Sequence, residues 1–213
     1  MNWHDHSDWK FGEHSFLSPS KKAWANYDDE TLIKNYKTYM TATVLGTSVH
    51  ELASRFISRG RKLRKDDWNI VAWELEDNYE IPRYAINKEL IFENLRLFVN
   101  DSITNKMRSE EKLVYSIHAF GTADAIQLIG NELLIFDLKT GATPASLDQL
   151  ISYAALFCLE YNFKASDLKY DLRIYQFNDI IVDPEITAEV IDERMRVIVH
   201  QDSLLNKVDG GVL

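Results

Sequence analysis

Two aspartates lie on what the sequence predicts to be a β-hairpin, in the segment 121–141 (GTADAIQLIGNELLIFDLKTG). Gly130 and Asn131 separate two apolar runs, and this dipeptide suits a two-residue hairpin turn because both residues tolerate positive φ. Pairing the residues on either side of the turn places Asp124 directly opposite Asp137. The sequence therefore predicts two carboxylates that face each other across neighbouring strands.

Such a pair needs a partner of opposite charge. Side chains that are directly opposed have Cβ atoms about 4.5–5.5 Å apart, and like charges at that distance destabilise the sheet. Lys139 lies two residues beyond Asp137 and therefore on the same face of the strand. A divalent cation between the carboxylates would offset the repulsion, and oxygen ligands suit Mg²⁺ or Mn²⁺. The alternative is a solvated strand face, and a one-residue slip in register would separate the two aspartates.

Three polar residues elsewhere belong to the same hypothesis. His50 lies on a predicted helix that follows Gly46. Gln149 and Tyr153 lie on the helix that follows the hairpin, and their spacing of four residues places them on one face.

Taken together, these residues resemble the PD-(D/E)XK nuclease superfamily. The resemblance is closest to the RecB-type branch, which includes the CRISPR-associated adaptation nucleases and many phage exonucleases. It covers residues 18–182 and depends on the order and spacing of the polar residues. The phrase GTADA, followed by DLKTG at 137–141, is typical of that branch.

The resemblance implies a role for each residue of the set. It implies four ligands for one divalent cation: His50, Asp124, Asp137 and the carbonyl oxygen of Leu138. Lys139 would position or activate the attacking water. Gln149 and Tyr153 would orient the substrate strand and the lysine.

Cysteine content limits the cofactors. The chain has one cysteine, Cys158, which excludes a disulfide framework and any site built on several thiolates. Some relatives hold an iron–sulfur cluster with four cysteines, and this chain cannot. The expected cofactor is therefore Mg²⁺ or Mn²⁺ alone, with no iron–sulfur cluster.

The charge of the chain is acidic overall but uneven. The formal net charge is −9, which disfavours indiscriminate coating of nucleic acid. Residues 51–65 nevertheless carry six basic side chains and one acidic one. Because this segment continues from the His50 helix, we predict that Arg55, Arg59 and Arg61 contact substrate phosphates. A solvated helix end is the alternative.

The coarse pattern predicts an α/β fold, with a central mixed sheet flanked by helices. With 213 residues the chain fits one domain: an N-terminal surface segment (1–17), a nuclease core (18–182) and a C-terminal helix (187–205). Predicted helices cover 18–24, 28–40, 47–57, 86–103, 144–161 and 187–205. Predicted strands cover 115–120, 122–129, 132–139, 171–177 and 180–182, and the segment 66–85 has no assignment.

Cellular context follows from what the sequence lacks. The N-terminus has no basic region followed by an apolar run, and no stretch approaches 18 apolar residues. We therefore expect no membrane association and a cytoplasmic location, in a bacterium or a phage-infected host cell. The expected partner is single- or double-stranded DNA. A recombination or replication protein and a homo-oligomer stay open as further partners.

The leading functional hypothesis is a metal-dependent deoxyribonuclease, specifically an exonuclease in DNA recombination, repair or phage DNA processing. A second hypothesis is a binding module, or a subunit of a DNA-processing complex, that keeps the nuclease fold with weak or no catalysis. A third is metal-dependent hydrolysis of another substrate. The chain has no phosphate-cradling glycine loop and no Gly-x-Ser-x-Gly turn, which excludes nucleotide motors and serine hydrolases. Strand polarity and the choice between DNA and RNA stay open.

Overall fold

The computed structural model describes residues 3–5, 17–36, 45–79, 88–141 and 144–210. Over these residues the fold is α/β, with a mixed five-stranded sheet that has helices on both faces. The predicted fold class is confirmed at this level.

Six α-helices are described, together with two short 3-10 helices. The α-helices are α1 (Asp29–Tyr36), α2 (Leu45–Ser58), α3 (Trp68–Tyr79), α4 (Lys88–Thr104), α5 (Asp148–Tyr161) and α6 (Ala188–Asp209). The 3-10 helices span Pro19–Asn26 and Ala165–Asp167. None of the helices in the described ranges is long and apolar enough to cross a membrane.

The strands follow one another in space in chain order. They are β1 (Arg108–Val114), β2 (Phe120–Ile129), β3 (Glu132–Leu138), β4 (Lys169–Gln176) and β5 (Asp179–Ile181). β3 and β4 are parallel and the other neighbours are antiparallel. β3 and β4 both finish at the same end of the sheet, which we call the site end. The opposite end of the sheet carries the β2–β3 turn, and we call it the far end.

Two apolar cores lie on the two faces of the sheet. One joins α5, α6 and the first 3-10 helix to the sheet, with Phe157 and Trp24 fully buried. The other packs α2, α3 and α4 against the opposite face, around Phe98, Phe136 and Tyr175. The strands are therefore covered from both sides, and a polar group within them must find its partner inside the protein.

Several predicted elements have different bounds or types. The predicted strand 115–120 is wrong: β1 lies at 108–114, and residues 115–119 form the loop between β1 and β2. The segment after residue 18 forms a 3-10 helix. The unassigned segment contains α3, and α5 begins four residues after Pro144. The predicted helix over 28–40 is confirmed to residue 36, and residues 37–40 lie outside the described ranges.

The N-terminal segment is described only over residues 3–5 and at residue 17. Trp3 packs edge-on against Phe157 and Tyr161 of α5, and Arg108 lies over the Trp3 indole. Residues 3–5 therefore lie along the outside of α5. The prediction for residues 6–16 lies outside the described ranges.

Candidate metal centre

The β2–β3 hairpin has the register that the sequence predicts. Ile129 pairs with Glu132, and the pairing continues to Ala125 and Phe136. Asp124 and Asp137 occupy the next position of that register. There the side chain of Asp124 replaces a backbone acceptor, because its Oδ2 accepts a hydrogen bond of 2.8 Å from the Leu138 N–H.

His50 of α2 reaches the same carboxylate. Its Nδ1 lies 3.0 Å from Oδ1 of Asp124, and its imidazole is 25% exposed. α2 is positioned by its apolar face, on which Val49, Leu52 and Ala53 are buried. His50 is therefore held at the edge of a packed helix, where its ring can contact both the sheet and an incoming ligand.

Glu110 completes a cluster that was not among the predicted site residues. One ligand atom from each of His50, Glu110 and Asp124 lies within 4.8 Å of the others. The neighbours of Glu110 in β1, Ser109 and Glu111, pair with Ala125 and Ala123 of β2. Glu110 therefore lies opposite Asp124. Its φ of 51° is in the left-handed region, which non-glycine residues rarely adopt and which often marks a functional site.

The donor set fits a divalent cation. Two carboxylates and one imidazole offer hard oxygen ligands together with one nitrogen, and the nitrogen suits Mn²⁺ better than Mg²⁺, which prefers oxygen. Asp137 supplies a further oxygen nearby. Its Oδ2 is buried and lies 2.8 Å from Nζ of Lys139. The ammonium offsets the cost of burying this carboxylate.

Lys139 lies between Asp137 and Gln149. Its Nζ is 2.8 Å from Oδ2 and 3.1 Å from Oδ1 of Asp137, and it donates a hydrogen bond of 2.7 Å to Oε1 of Gln149. The Asp137 side chain is 2% exposed, whereas that of Lys139 is 27% exposed. The ammonium therefore lies at the surface of the site, and the carboxylate lies beneath it.

Tyr153 connects α5 to the sheet beneath Lys139 and Gln149. It is buried on α5, and its hydroxyl donates a hydrogen bond to the Thr122 carbonyl of β2. Gly121 makes this approach possible, because a Cβ there would lie 3.2 Å from Cε1 of Tyr153 and 2.9 Å from Cδ of Pro19. Since Tyr153 is fully buried, we assign it a positioning role for α5 and Gln149.

The electrostatics are those of a crowded acidic site. Burial alone would lower the pKa of His50, but Asp124 outweighs it and raises the pKa to about 9. Burial, together with the charge of Asp124, raises the pKa of Asp137 to about 6 although Lys139 opposes this shift. The pKa of Asp124 itself is lowered because His50 and Lys139 outweigh its burial.

The lysine and tyrosine respond to the same charges. Burial opposes the charged form of Lys139, but Asp137 and Asp124 raise its pKa above the usual value. Burial and the carboxylates of Asp124 and Asp137 raise the pKa of Tyr153 well above its usual value. The neighbouring carboxylates therefore favour the charged forms of His50 and Lys139.

Two buried amides hold the backbone around Lys139. Gln176 of β4 accepts from the Ala145 N–H and donates to the Gly141 carbonyl, both at 2.9 Å. It thereby fixes both ends of the loop between Lys139 and α5. Asn94 of α4 donates to the Lys139 carbonyl at 3.4 Å and accepts from the Asn178 N–H at 2.7 Å.

The structure brings together most, but not all, of the predicted site residues. His50, Asp124, Asp137, Leu138, Lys139, Gln149 and Tyr153 meet at the site end. Leu138 contributes its N–H, and the role predicted for its carbonyl stays a prediction.

Two of the three arginines that are predicted to contact phosphates have partners within the protein. Arg55 forms a salt bridge of 2.9 Å with the buried Glu74 of α3, and the Arg61 guanidinium lies over the Phe56 ring. Arg59 is exposed just after α2. Substrate binding by these three arginines stays a prediction.

Comparisons of the chain with protein-family models, curated proteins and solved structures found no match. The resemblance to the nuclease superfamily therefore depends on the residues of this chain and on their arrangement.

Proposed function

We propose that this protein is a metal-dependent deoxyribonuclease with a PD-(D/E)XK-type core. The observation that carries the proposal is the convergence of His50, Glu110 and Asp124 beside the Asp137–Lys139 pair. These residues come from three strands and one helix. Carboxylates that lie this close together repel one another, and a bound cation would offset that repulsion.

Each residue has a defined part in phosphodiester hydrolysis. His50, Glu110 and Asp124 would hold the cation, with Asp137 as a further ligand. A bound Mg²⁺ or Mn²⁺ polarises a phosphate oxygen and lowers the pKa of a bound water. The Lys139 ammonium would stabilise the attacking water or the charge on the phosphate, and Gln149 accepts a hydrogen bond from it.

The test is cleavage of linear and covalently closed circular DNA with Mg²⁺ or Mn²⁺, with Asp137→Ala as the control. An exonuclease degrades the linear DNA only, and the substitution abolishes this activity. Cutting of the circles as well, equally lost in Asp137→Ala, would indicate an endonuclease with the same site. Absence of metal-dependent cleavage on both substrates would overturn the proposal.

The net charge of −9 favours one other candidate, a binding module in a DNA-processing complex. Such a module would bind DNA or a protein partner without turnover. The intact cluster argues against it, because a site without a ligand has no physical reason to keep opposed carboxylates. DNA binding that is unchanged by Asp137→Ala and Lys139→Ala, with no cleavage by the wild-type chain, would support the module.

A further inference from the structure

The turn between β4 and β5 has an unexpected residue at its first position. Gln176 pairs with Asp179, so Phe177 and Asn178 form a two-residue turn. Their φ angles are 56° and 61°, and positive φ at both positions defines a type I′ turn. Asparagine and glycine adopt this conformation readily, whereas a bulky side chain does so only against steric strain.

Packing does not account for this phenylalanine. Its side chain is 44% exposed, whereas Tyr175, two residues earlier, is fully buried in the core. The ring therefore gains only part of the apolar burial that could offset the backbone strain. Strained residues that the core does not require are found preferentially at functional sites.

The position of the turn links it to the candidate metal centre. β3 and β4 end side by side, and the Lys139 N–H donates a hydrogen bond of 3.0 Å to the Tyr175 carbonyl. The Asn94 side chain joins the Lys139 carbonyl to the Asn178 N–H. Phe177 is thus held at a fixed place beside the strand that carries Asp137 and Lys139.

We propose that Phe177 stacks on a nucleobase of the strand that enters the site, and this inference rests on the proposed nuclease function. An aromatic ring stacks on any base, so the contact would hold the strand without reading its sequence. Stacking requires an accessible base face, which a single-stranded segment offers. The expected substrate is therefore a single strand, or a duplex end with an unpaired nucleotide.

The test uses a fluorescent single-stranded oligonucleotide and the Lys139→Ala background, which prevents cleavage during the titration. In this background we expect Phe177→Asn to weaken binding by roughly 5- to 100-fold, the range for the loss of one base–aromatic stack. Phe177→Tyr restores a ring and should bind within about twofold of its parent, by the same argument. Ile129→Ala, a change to an exposed apolar residue at the far end, should leave the affinity unchanged.

A set of oligonucleotides with one abasic position each makes the test independent of folding. In the parent, binding should weaken when the abasic position coincides with the base that stacks on Phe177. The same oligonucleotide should bind Phe177→Asn with little further loss of affinity. Thermal unfolding should show Phe177→Asn at least as stable as its parent, since asparagine suits positive φ.

Unchanged affinity in Phe177→Asn, or abasic penalties that persist in it, would overturn the stacking inference. If the wild-type chain still cleaves DNA, the proposed nuclease function survives that result. Absence of binding by the parent together with absence of cleavage by the wild type would overturn both.

Discussion

Two hairpin turns of two residues each reverse the chain at opposite ends of the sheet. At the far end, Gly130 takes the positive φ, at 62°, and glycine does so at no steric cost. At the site end, Phe177 takes a similar φ with a bulky side chain. Glu110, also at positive φ, lies opposite Asp124.

The difference separates residues that serve the fold from residues that serve the site. In the Gly130–Asn131 turn, the residue type and the backbone conformation agree. At the site end they conflict at Phe177 and Glu110, and the opposed carboxylates of Asp124 and Asp137 add electrostatic repulsion. Such conflicts are expected where function, and not stability, selects the residue. Changes at the far end should therefore affect stability, and changes at the site end should affect activity.

Lys139→Ala should strongly lower the rate of cleavage. Removal of a charged group that stabilises the transition state typically costs about 10²- to 10³-fold in rate. DNA affinity should stay within a few-fold, because phosphate contacts elsewhere supply most of the binding. Cleavage kinetics and anisotropy titrations would measure the two effects. An equal loss of binding and turnover would contradict the assigned role.

Glu110→Gln should lower the affinity for Mn²⁺ at least tenfold, since even indirect partners of metal ligands contribute that much. Glu111→Gln is the matched control, because Glu111 pairs with Arg108 and lies outside the cluster. Isothermal titration with Mn²⁺ would compare the two. Equal Mn²⁺ affinities in the two variants would show that Glu110 is not a metal ligand.

Gln176→Leu tests the loop between Lys139 and α5. It leaves the Ala145 N–H and the Gly141 carbonyl without the amide that bonds both, at a cost of about 1–3 kcal/mol in the free energy of unfolding. The cleavage rate should also fall, because Gln149 follows this loop. Urea unfolding and single-turnover cleavage would measure both effects.

The matched control for this loop is Gln127→Leu at the far end. Gln127 also bonds a backbone carbonyl, that of Lys106, but it is only half-buried. This variant should keep the full cleavage rate. A fall in rate as large as that of Gln176→Leu would argue that the two ends of the sheet are not functionally distinct.

The two turns themselves should give the smallest effects, with opposite signs. Gly130→Ala should lower the free energy of unfolding by about 1–2 kcal/mol, the cost of a left-handed conformation. This cost comes from the backbone alone, because a Cβ at residue 130 would meet no atom within 4 Å.

Phe177→Gly should raise the free energy of unfolding by about 1 kcal/mol at most, because relief of strain exceeds the added chain entropy. Urea titrations of both variants check this, and a loss of stability in Phe177→Gly would show that the ring serves the fold.

The turn and the strand register at the far end of the sheet could be predicted from the sequence. The Gly130–Asn131 turn sets the register by local chemistry alone, and that register brings Asp124 to Asp137. The site end depends on tertiary contacts that have no local signal. Phenylalanine is not a typical residue for a type I′ turn, so the predicted strand 171–177 extends one residue beyond the end of β4.

Glu110 was missed for a related reason. It lies in the charged segment RSEEK at 108–112, which has weak strand propensity, and β1 was therefore predicted at 115–120. The strand forms there because β2 pairs with it along its whole length. The alternation of exposed and partly buried positions in β1 is a property of the folded strand and gives no signal in the sequence alone.

The most direct test of the central claim compares two acidic residues of the same strand, Asp137 at the site end and Glu132 at the far end. Single-turnover cleavage of linear DNA with Mn²⁺ would be measured for the wild type, Asp137→Asn and Glu132→Gln. We predict that Asp137→Asn abolishes cleavage and that Glu132→Gln retains the wild-type rate. Cleavage that persists in Asp137→Asn, or that is lost equally in both variants, would contradict the assignment of a metal-dependent nuclease site to the end of β3.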